Sequence, residues 1–183
     1  MLTYILIAIV VIILLWMMVA YNGFVRQQNL VKEGWSGIDV QLKRRHDLIP
    51  NLIEAVKGYQ THEQKIFEDV ANLRTQAMSA TSPQQSGAAE ASLTGALGKL
   101  FAIAENYPDL KASQNFLDLQ RNLSDIEDQV QLARRYYNGT ARDFNTRVQS
   151  FPGNLIAQLF HFQAVEFFQL DAETERAVPA VKF

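Results

Sequence analysis

The sequence predicts an all-α protein in which an N-terminal transmembrane helix continues into an antiparallel bundle of long helices. Three observations lead to this fold class. An apolar run near the N-terminus has the length that crosses a bilayer. Further along the chain, apolar residues recur at alternating steps of three and four, which is the heptad spacing of packed helices. No stretch shows sustained period-two alternation, so we expect no sheet.

The apolar run extends from Leu2 to Tyr21 and contains no charge, proline or glycine. Its length, about 20 residues, rises roughly 30 Å in a helix, which matches the hydrocarbon core of a bilayer. Tyr4 near one end, and Trp16 and Tyr21 toward the other, match the aromatic belts of a membrane span. A buried core helix is the alternative, but core helices usually keep some polar face over this length. The run is therefore interpreted as a membrane span.

A cleaved signal peptide is a second alternative for this run. It would need a basic segment first and small residues before the cleavage site. No Lys or Arg precedes the run, and cleavage after Ala20 would place Met18 at position −3. A lipoprotein is excluded because the chain has no cysteine to acylate. We therefore expect a retained anchor over residues 1–22, with lipid around residues 2–21, and one helical-bundle domain over residues 23–183.

The orientation of the anchor is predicted from the basic residues that follow it. Arg26 and Lys32 lie within the distance over which the positive-inside rule is strong, although Glu33 and Asp39 are interspersed. The rule places the short N-terminus outside and the C-terminal domain in the cytoplasm. The predicted location is the inner (cytoplasmic) membrane, crossed once.

The first helix of the domain is predicted to continue from the anchor and to end near Ser79. Pro50 removes one helical hydrogen bond, so we expect either a kink there or a new helix capped by Asp47. Gly34 and Gly37 indicate either a hinge near the membrane or the close packing of a neighbour. The apolar seam of this helix consists of Ile38, Leu42, Arg45, Ile49, Leu52, Val56, Tyr59, Glu63, Ile66, Val70 and Leu73.

A polar loop over residues 79–87 is predicted to separate the first helix from a second, over residues 88–106. Tyr107-Pro108 ends this second helix, because the residue before a proline avoids helical angles. Its apolar face consists of Leu93, Leu97, Leu100 and Ala104.

A third helix is predicted over residues 113–150, interrupted by Gly139 and ended by Phe151-Pro152-Gly153. Asn154 is predicted to cap a fourth, Phe-rich helix that ends near Phe168, and the apolar tail is expected to pack on the domain. The seam of the third helix consists of Phe116, Leu119, Leu123, Ile126, Val130, Ala133, Tyr137, Ala141, Phe144 and Val148.

The predicted second helix is much shorter than the first and third. Part of the long helices then has no partner within the chain. Either the first helix is broken, or other copies cover its exposed seam. We take this imbalance as an indication of self-association.

The composition excludes several classes of function. A formal net charge of −2 argues against a nucleic-acid partner. The lack of cysteine excludes disulfides, thiolate catalysis and cysteine metal sites. His46, His62 and His161 have no metal-ligand spacing, since Ile66 stands where a zinc-protease helix starting at His62 needs its second histidine. We therefore predict no catalytic, metal or cofactor site, and no enzyme.

Arg45 and Glu63 are charged residues at seam positions, where desolvation is costly unless a partner is present. One hypothesis is that each pairs with the third helix and so fixes the register of the bundle. The alternative is a seam edge at which both side chains reach water. The available partners on the third helix are Glu127, Asp128, Arg134 and Arg135.

Two aromatic–Asn pairs, Tyr137-Asn138 and Phe144-Asn145, lie seven residues apart on the third helix. The simplest interpretation is an aromatic core residue with an amide beside it. The sequons at Asn122 and Asn138 lie inside the predicted helix and are interpreted as chance matches.

Long stretches of the sequence resemble the LemA family of membrane-anchored proteins. The resemblance covers nearly the whole chain and implies one membrane helix, a helical-bundle domain and a bacterial source. Gly34 and Gly37 depart from the helix-forming residues expected there. The stretches that carry it are Lys43–Glu63 (KRRHDLIPNLIEAVKGYQTHE), Ala104–Asn138 (AENYPDLKASQNFLDLQRNLSDIEDQVQLARRYYN), Tyr21-Asn22, Phe144-Asn145, Phe151-Pro152 and the closing VPAVKF.

The resemblance implies an association of some relatives with shaping magnetosome membranes, and of others with membrane-bound peptidases. We predict a membrane-anchored, non-enzymatic protein that self-assembles as a homo-oligomeric scaffold and organises a membrane. The alternative is an adaptor or regulator of another membrane protein, such as a membrane-bound peptidase.

Overall fold

A computed structural model describes residues 1–58 and 64–169 of the chain. These residues contain helices and connecting segments but no strand, which confirms the predicted fold class. The helices are α1 (Leu2–Lys57), α2 (Gln64–Met78), α3 (Pro83–Ala104), α4 (Pro108–Lys111), α5 (Gln114–Gln149) and α6 (Gly153–Leu159).

The chain divides into two compact units. Unit 1 consists of Met1–Ile38 and Ala133–Phe167. Unit 2 consists of Asp39–Leu132 and the chain from Phe168 onward. Each long helix contributes one part to each unit.

The apolar part of α1 is exposed from Leu2 through most of its length. This helix is long and apolar enough to cross a membrane, and none of its most apolar 18-residue window is buried in the chain. The core helix of a soluble protein would be mostly buried. The exposed run therefore agrees with the predicted membrane span.

The first helix ends at Lys57, earlier than the predicted end near Ser79, and Gly58 forms a turn there. A separate helix, α2, covers residues 64–78 of the predicted stretch, and residues 59–63 lie outside the described part of the chain. Within α1 the backbone is helical through Gly34, Gly37 and Pro50, so Asp47 does not begin a new helix. The predicted capping role of Asp47 is therefore wrong.

Pro50 is accommodated inside α1 by a side chain from α2. In an unbroken helix the carbonyl of His46 would accept a hydrogen bond from the amide of residue 50, and proline has no such amide. Arg74 donates its Nε–H to this carbonyl at 2.7 Å. Arg74 thus replaces the backbone donor that Pro50 removes.

The two glycines of α1 have different surroundings. A Cβ atom added at Gly34 would lie 3.1 Å from the Cα of Tyr137, whereas one added at Gly37 would meet nothing within 4 Å. The close-packing interpretation therefore applies to Gly34. At Gly37 the helix continues without such a contact.

Helix α3 begins at Pro83, inside the stretch predicted as a loop. Ser82 caps it, since the Ser82 hydroxyl accepts a hydrogen bond from the amide of Gln85 at 3.3 Å. Proline in the first turn loses no helical hydrogen bond. The Ser82-Pro83 pair is therefore a helix start, and the connection from α2 is correspondingly short.

The seam predicted for α5 is confirmed. Its residues are buried except for Ala133 and Val148, which are half-buried. In unit 1, α5 runs antiparallel to α1, because Phe24 lies beside Phe144 and Gly34 beside Tyr137.

The prediction of a helix from Asn154 to Phe168 is wrong at both ends. Asn154 lies inside α6, whose N-cap is Pro152, and α6 ends at Leu159. His161 has φ 59°, and the amide of Phe162 donates to the carbonyl of Ala157 at 2.9 Å. This reversal closes the helix in the manner of a Schellman motif and turns the chain away from it.

After α6 the chain has no regular structure as far as Gln169. The expected packing of the apolar tail concerns residues outside the described part of the chain. The core of unit 2 contains residues of α1, α2, α3 and α5, led by Ile49, Leu52, Val70, Leu93 and Leu100, all fully buried.

The helix imbalance is resolved by the first of the two expected explanations. The first helix is broken at Lys57, and α2 packs against α3. The seam residues of α1 that lie in the described part of the chain are buried within it. The described seam therefore gives no support to self-association.

We expect Arg74 to contribute to stability only while residue 50 is proline. Arg74→Met should lower the free energy of unfolding by about 1 kcal/mol, because the buried carbonyl of His46 loses its donor. In a Pro50→Ala background the same substitution should cost little, because the amide of the new alanine supplies the helical hydrogen bond. Chemical unfolding of the four chains, followed by far-ultraviolet circular dichroism in detergent, measures this coupling. Equal costs in both backgrounds would contradict the assignment.

Candidate functional site

A cluster of buried charged and polar side chains lies in unit 2, where α1, α3 and α5 approach each other. Arg45 is 6% exposed and Glu90 is 2% exposed. Arg45 Nη1 donates to Glu90 Oε2 at 2.9 Å. Arg45 Nη2 donates to the hydroxyl of Thr94 at 2.8 Å and lies 3.2 Å from Glu127 Oε2. We call Arg45, His46, Glu90, Thr94 and Glu127 the buried ion cluster.

The carboxylate of Glu90 has a partner at each oxygen. Its Oε1 lies 2.6 Å from His46 Nε2, while Oε2 accepts from Arg45. The hydroxyl of Thr94 also donates to the backbone carbonyl of Glu90 at 2.8 Å. A carboxylate this deeply buried requires such partners, because desolvation of an unpaired charge is costly.

The contact with Glu127 is weaker than the contact with Glu90. Glu127 is 34% exposed at its side chain, and its Oε2 lies beside Arg45 without the geometry of a hydrogen bond. Its Oε1 accepts a hydrogen bond from Gln131 at 3.1 Å. Arg45 therefore forms its main ion pair with α3 and a secondary one with α5.

The hypothesis that Arg45 pairs with the helix predicted over residues 113–150 is confirmed, because Arg45 lies beside Glu127 of α5. The main partner, Glu90, was not predicted. The alternative, in which Arg45 reaches water, is wrong. Glu63, the second charged seam residue, lies outside the described part of the chain.

The ion cluster has the character of a structural contact. Both oxygens of Glu90 are occupied by neighbours, and the arginine and carboxylate are enclosed. Across residues 1–58 and 64–169, no three His, Asp or Glu side chains are grouped so that they could hold a metal ion. The arrangement joins three helices through paired side chains.

A group of aromatic rings lies in unit 1 at the end of the anchor. Tyr21 lies 4.7 Å from Phe160 between ring centroids, and Phe24 stacks on Phe162 at 4.9 Å. Phe144 meets the ring of Phe24 edge-on at 6.2 Å. We call these five residues the aromatic collar. It connects the last turn of the apolar run to α5 and to the chain after α6.

Arg147 adds a positive charge at the collar. Its guanidinium lies 4.9 Å from the centroid of the Phe24 ring, a cation–π contact. Its Nη2 also lies 3.5 Å from the carbonyl of Ala20, near the end of the apolar run. A basic residue distant in sequence is thus placed beside the end of the span.

The chain after α6 is held on α5 by Tyr137 and Asn145, one residue from each aromatic–Asn pair. Asn145 donates its Nδ2–H to the carbonyl of Val165 at 2.9 Å, and its Oδ1 accepts from the amide of Val165 at 2.8 Å. The hydroxyl of Tyr137 donates to the carbonyl of Glu166 at 2.7 Å. We call residues 160–167 the C-terminal segment. Asn145 binds it as a neighbouring strand would, through one donor and one acceptor.

Burial raises the pKa of the Tyr137 phenol above its ordinary value, and the Glu166 carboxylate raises this pKa further. The neutral, hydrogen-bonding form of Tyr137 is therefore favoured. This protonation state retains the hydrogen bond to the C-terminal segment.

Comparison with known proteins supports the resemblance stated above. A model described as LemA family matches residues 34–183. The chain is 31% identical over 159 residues to Protein LemA of Metamycoplasma hominis, covering 85% of this chain and 71% of that protein. It is 24% identical over 179 residues to Magnetosome protein MamQ 2 of Paramagnetospirillum magneticum, covering 84% of this chain and 66% of that protein.

A third relative is Magnetosome protein MamQ of Magnetospirillum gryphiswaldense. The chain is 24% identical to it over 178 residues, covering 83% of this chain and 65% of that protein. This chain thus spans about two thirds of the length of the magnetosome relatives. None of these relatives carries the name of an enzyme.

Replacing Arg45 tests the register role of the buried ion cluster. Arg45→Met should lower the free energy of unfolding by about 3 kcal/mol, because Glu90 is left as a buried charge without its main partner. Adding Glu90→Gln should recover much of this loss. Glu127→Gln should cost less than about 1 kcal/mol, because that contact is partly exposed. Chemical unfolding and the dispersion of tyrosine and tryptophan near-ultraviolet signals report both effects. Unchanged or greater stability of Arg45→Met would refute the role.

Replacing Tyr137 tests the attachment of the C-terminal segment. Tyr137→Phe should cost about 1 kcal/mol, since the carbonyl of Glu166 loses a donor. The raised pKa means that the stability contributed by the phenol is complete below its unfolded value, about pH 10, and declines as the pH rises through the folded value. The wild-type chain should therefore lose stability above about pH 10 more steeply than Tyr137→Phe. The matched control is Tyr136→Phe at an exposed neighbour, which should follow the wild type in unfolding measured across this range.

Proposed function

This chain belongs to the LemA family, and on that premise we propose that it is a membrane-anchored, non-enzymatic scaffold that self-associates and organises a patch of membrane. The observation that carries the proposal is the direct continuation of the span into the folded domain. Helix α1 is unbroken from Leu2 to the end of unit 1 at Ile38. The aromatic collar packs against it at Tyr21 and Phe24.

The proposed anchor consists of residues 1–22 and the proposed domain of residues 23–183. The run from Leu2 to Tyr21 exposes apolar side chains around most of its circumference. Lipid is the solvent suited to such a surface, because a helix satisfies its own backbone hydrogen bonds. No flexible linker separates this run from the packed part of unit 1. A domain attached in this way keeps a fixed relation to the membrane, which suits a structural role better than a role that requires reach.

Self-association is proposed to occur through the anchor. The described seam residues of α1 are buried within one chain, whereas the exposed side chains of its apolar run form a large apolar surface that copies could share. The similarity to proteins named as magnetosome proteins supports a membrane-organising role. The non-enzymatic assignment is supported by the enclosed, fully paired carboxylate of Glu90.

The proposed location is the inner (cytoplasmic) membrane, with the N-terminus outside and the domain in the cytoplasm. Arg26 and Lys32 follow the span in sequence. Arg147 adds a third positive charge beside the carbonyl of Ala20. All three would face the cytoplasmic leaflet in this orientation.

Single-cysteine cross-linking tests self-association, because the natural chain has no cysteine. Cysteines placed one at a time from Ile5 to Leu15 should form disulfide-linked dimers in membranes upon mild oxidation. If one face of the anchor mediates contact, the yield of cross-linked dimer should peak every three to four residues. The yields for Ile9→Cys and Val11→Cys should differ severalfold, because these positions lie about 200° apart around the helix. Uniformly weak cross-linking at all positions would contradict the proposal.

The matched control is Lys99→Cys, at an exposed position of α3. It should give little dimer at the same protein density. In intact cells this cysteine should also be protected from a membrane-impermeant maleimide until the membrane is permeabilised. Labelling without permeabilisation would reverse the proposed orientation while leaving the cross-linking result intact.

The second candidate function is that of an adaptor or regulator of another membrane protein, such as a membrane-bound peptidase. It is favoured by the burial of the described α1 seam within one chain, which leaves that seam unavailable to further copies. A groove of about 600 Å³ in unit 2 offers a surface for a partner, with Phe67 and Ile53 beside charged Lys57 and Glu54. An uncross-linked anchor together with a second protein recovered after gentle extraction would favour this candidate.

A further inference from the structure

Helix α6 carries apolar side chains on its outer face as well as on its inner face. Ile156 and Ala157 are each 2% exposed and pack into unit 1. Leu155 and Leu159 are 52% and 58% exposed, and Phe151, in the turn before the helix, is 80% exposed. Leu155 and Leu159 are four residues apart and so share one face of α6, and Phe151 lies in the turn immediately before this helix. We call these three exposed residues the stripe. Such a stripe is unfavourable in water.

The sequence around this stripe carries no formal charge. From Val148 to Val165 the chain contains no Asp, Glu, Lys or Arg, and His161 is its one titratable side chain. Asn154 and Gln158 are the polar residues of α6. A segment this long without a charged residue is unusual on a surface that faces water.

The stripe is adjacent to the end of the proposed anchor. A groove of about 250 Å³ is lined jointly by Trp16 and Ala20 of the anchor and by Phe151 and Pro152. At the other end of α6, the ring of Phe160 lies beside Tyr21. The helix is therefore held within unit 1 at the level at which the apolar run ends.

We propose that α6 and the turn before it lie in the boundary between lipid headgroups and acyl chains, in the leaflet from which the anchor emerges. The stripe of Phe151, Leu155 and Leu159 enters the apolar side of this boundary. The inference rests on the membrane anchoring proposed above and adds a second, non-spanning lipid contact. Because α6 is only seven residues long and carries two amide side chains, it does not cross the bilayer.

Lipid is the partner that the geometry of this exposed surface favours. The stripe continues the lipid-facing surface of the anchor through the shared groove, so any bilayer that surrounds Trp16 also approaches Phe151. Aromatic and leucine side chains on a short uncharged helix are typical of segments that lie at a membrane surface. Two turns of helix also offer too small an area for a stable protein partner.

The depth of single fluorophores in vesicles tests this inference on the full chain. Leu155→Cys and Leu159→Cys are labelled with NBD and reconstituted in vesicles of phosphatidylcholine and phosphatidylglycerol. We expect doxyl groups near the headgroup end of the acyl chains to reduce their emission about twofold or more, and aqueous iodide to have little effect. Ile12→Cys is the lipid control and should respond to doxyl groups deeper in the chains. Arg135→Cys, at an exposed position about 21 Å along α5 from its end, is the aqueous control.

The controls separate the possible failures. Iodide quenching of positions 155 and 159 to the extent seen at Arg135→Cys, with Ile12→Cys still quenched by lipid, would overturn the inference and leave the anchor intact. Protection of both positions from iodide and from doxyl lipid would show that protein covers the stripe, and would also overturn it. Loss of lipid quenching at Ile12→Cys would overturn the anchor and this inference together. Circular dichroism of each labelled chain confirms that helix content is unchanged.

Discussion

Burial of one face of α1 beyond the apolar run is the constraint on which the rest of the structure depends. In unit 1, α5 covers this face from one side, with Phe144 against Phe24 and the backbone of Tyr137 against Gly34. The C-terminal segment covers it from another side through Phe162. Because residues 163–167 have no regular structure, Tyr137 and Asn145 supply hydrogen-bond partners for the backbone of Val165 and Glu166. Two polar side chains of α5 thereby allow a segment without regular structure to pack against the core.

Unit 2 meets the same constraint with a charged residue in the seam. Arg45 occupies a position that Leu or Ile would fill in an all-apolar bundle, and this position can be buried only because Glu90 stands opposite. A buried ion pair of this kind adds little net stability compared with apolar packing, but it penalises every alignment in which the two charges do not meet. The Arg74 contact to His46 follows the same logic, since it compensates for the amide that Pro50 lacks. Both contacts restrict how α1 can pack against its neighbours.

Heptad spacing was sufficient to predict the fold class, the two long helices and most of the buried residues, because these depend on local periodicity. It also placed Arg45 in the seam and included Glu127 among four candidate partners. Glu90 was missed because the apolar face of α3 was begun at its first leucine, Leu93, although one further step of three reaches Glu90 on the same face. The start of α3 at Pro83 and the end of α6 at Leu159 also differ from the predicted boundaries. Ser82-Pro83 can form a turn or a helix start, and a histidine at positive φ leaves no pattern in the sequence.

The unbroken course of α1 from Tyr21 to Ile38 has a consequence for geometry outside the chain. These residues rise about 26 Å, and each advances about 1.5 Å and turns about 100°. The position of a residue along this part of the helix therefore fixes the height of its side chain above the bilayer. It also fixes the direction around the helix axis in which the side chain points. One inserted residue would shift everything beyond it in both respects at once. Neighbouring molecules in the same membrane would thus meet unit 1 at a defined height above the bilayer. A change in the tilt of the span would move unit 1 sideways.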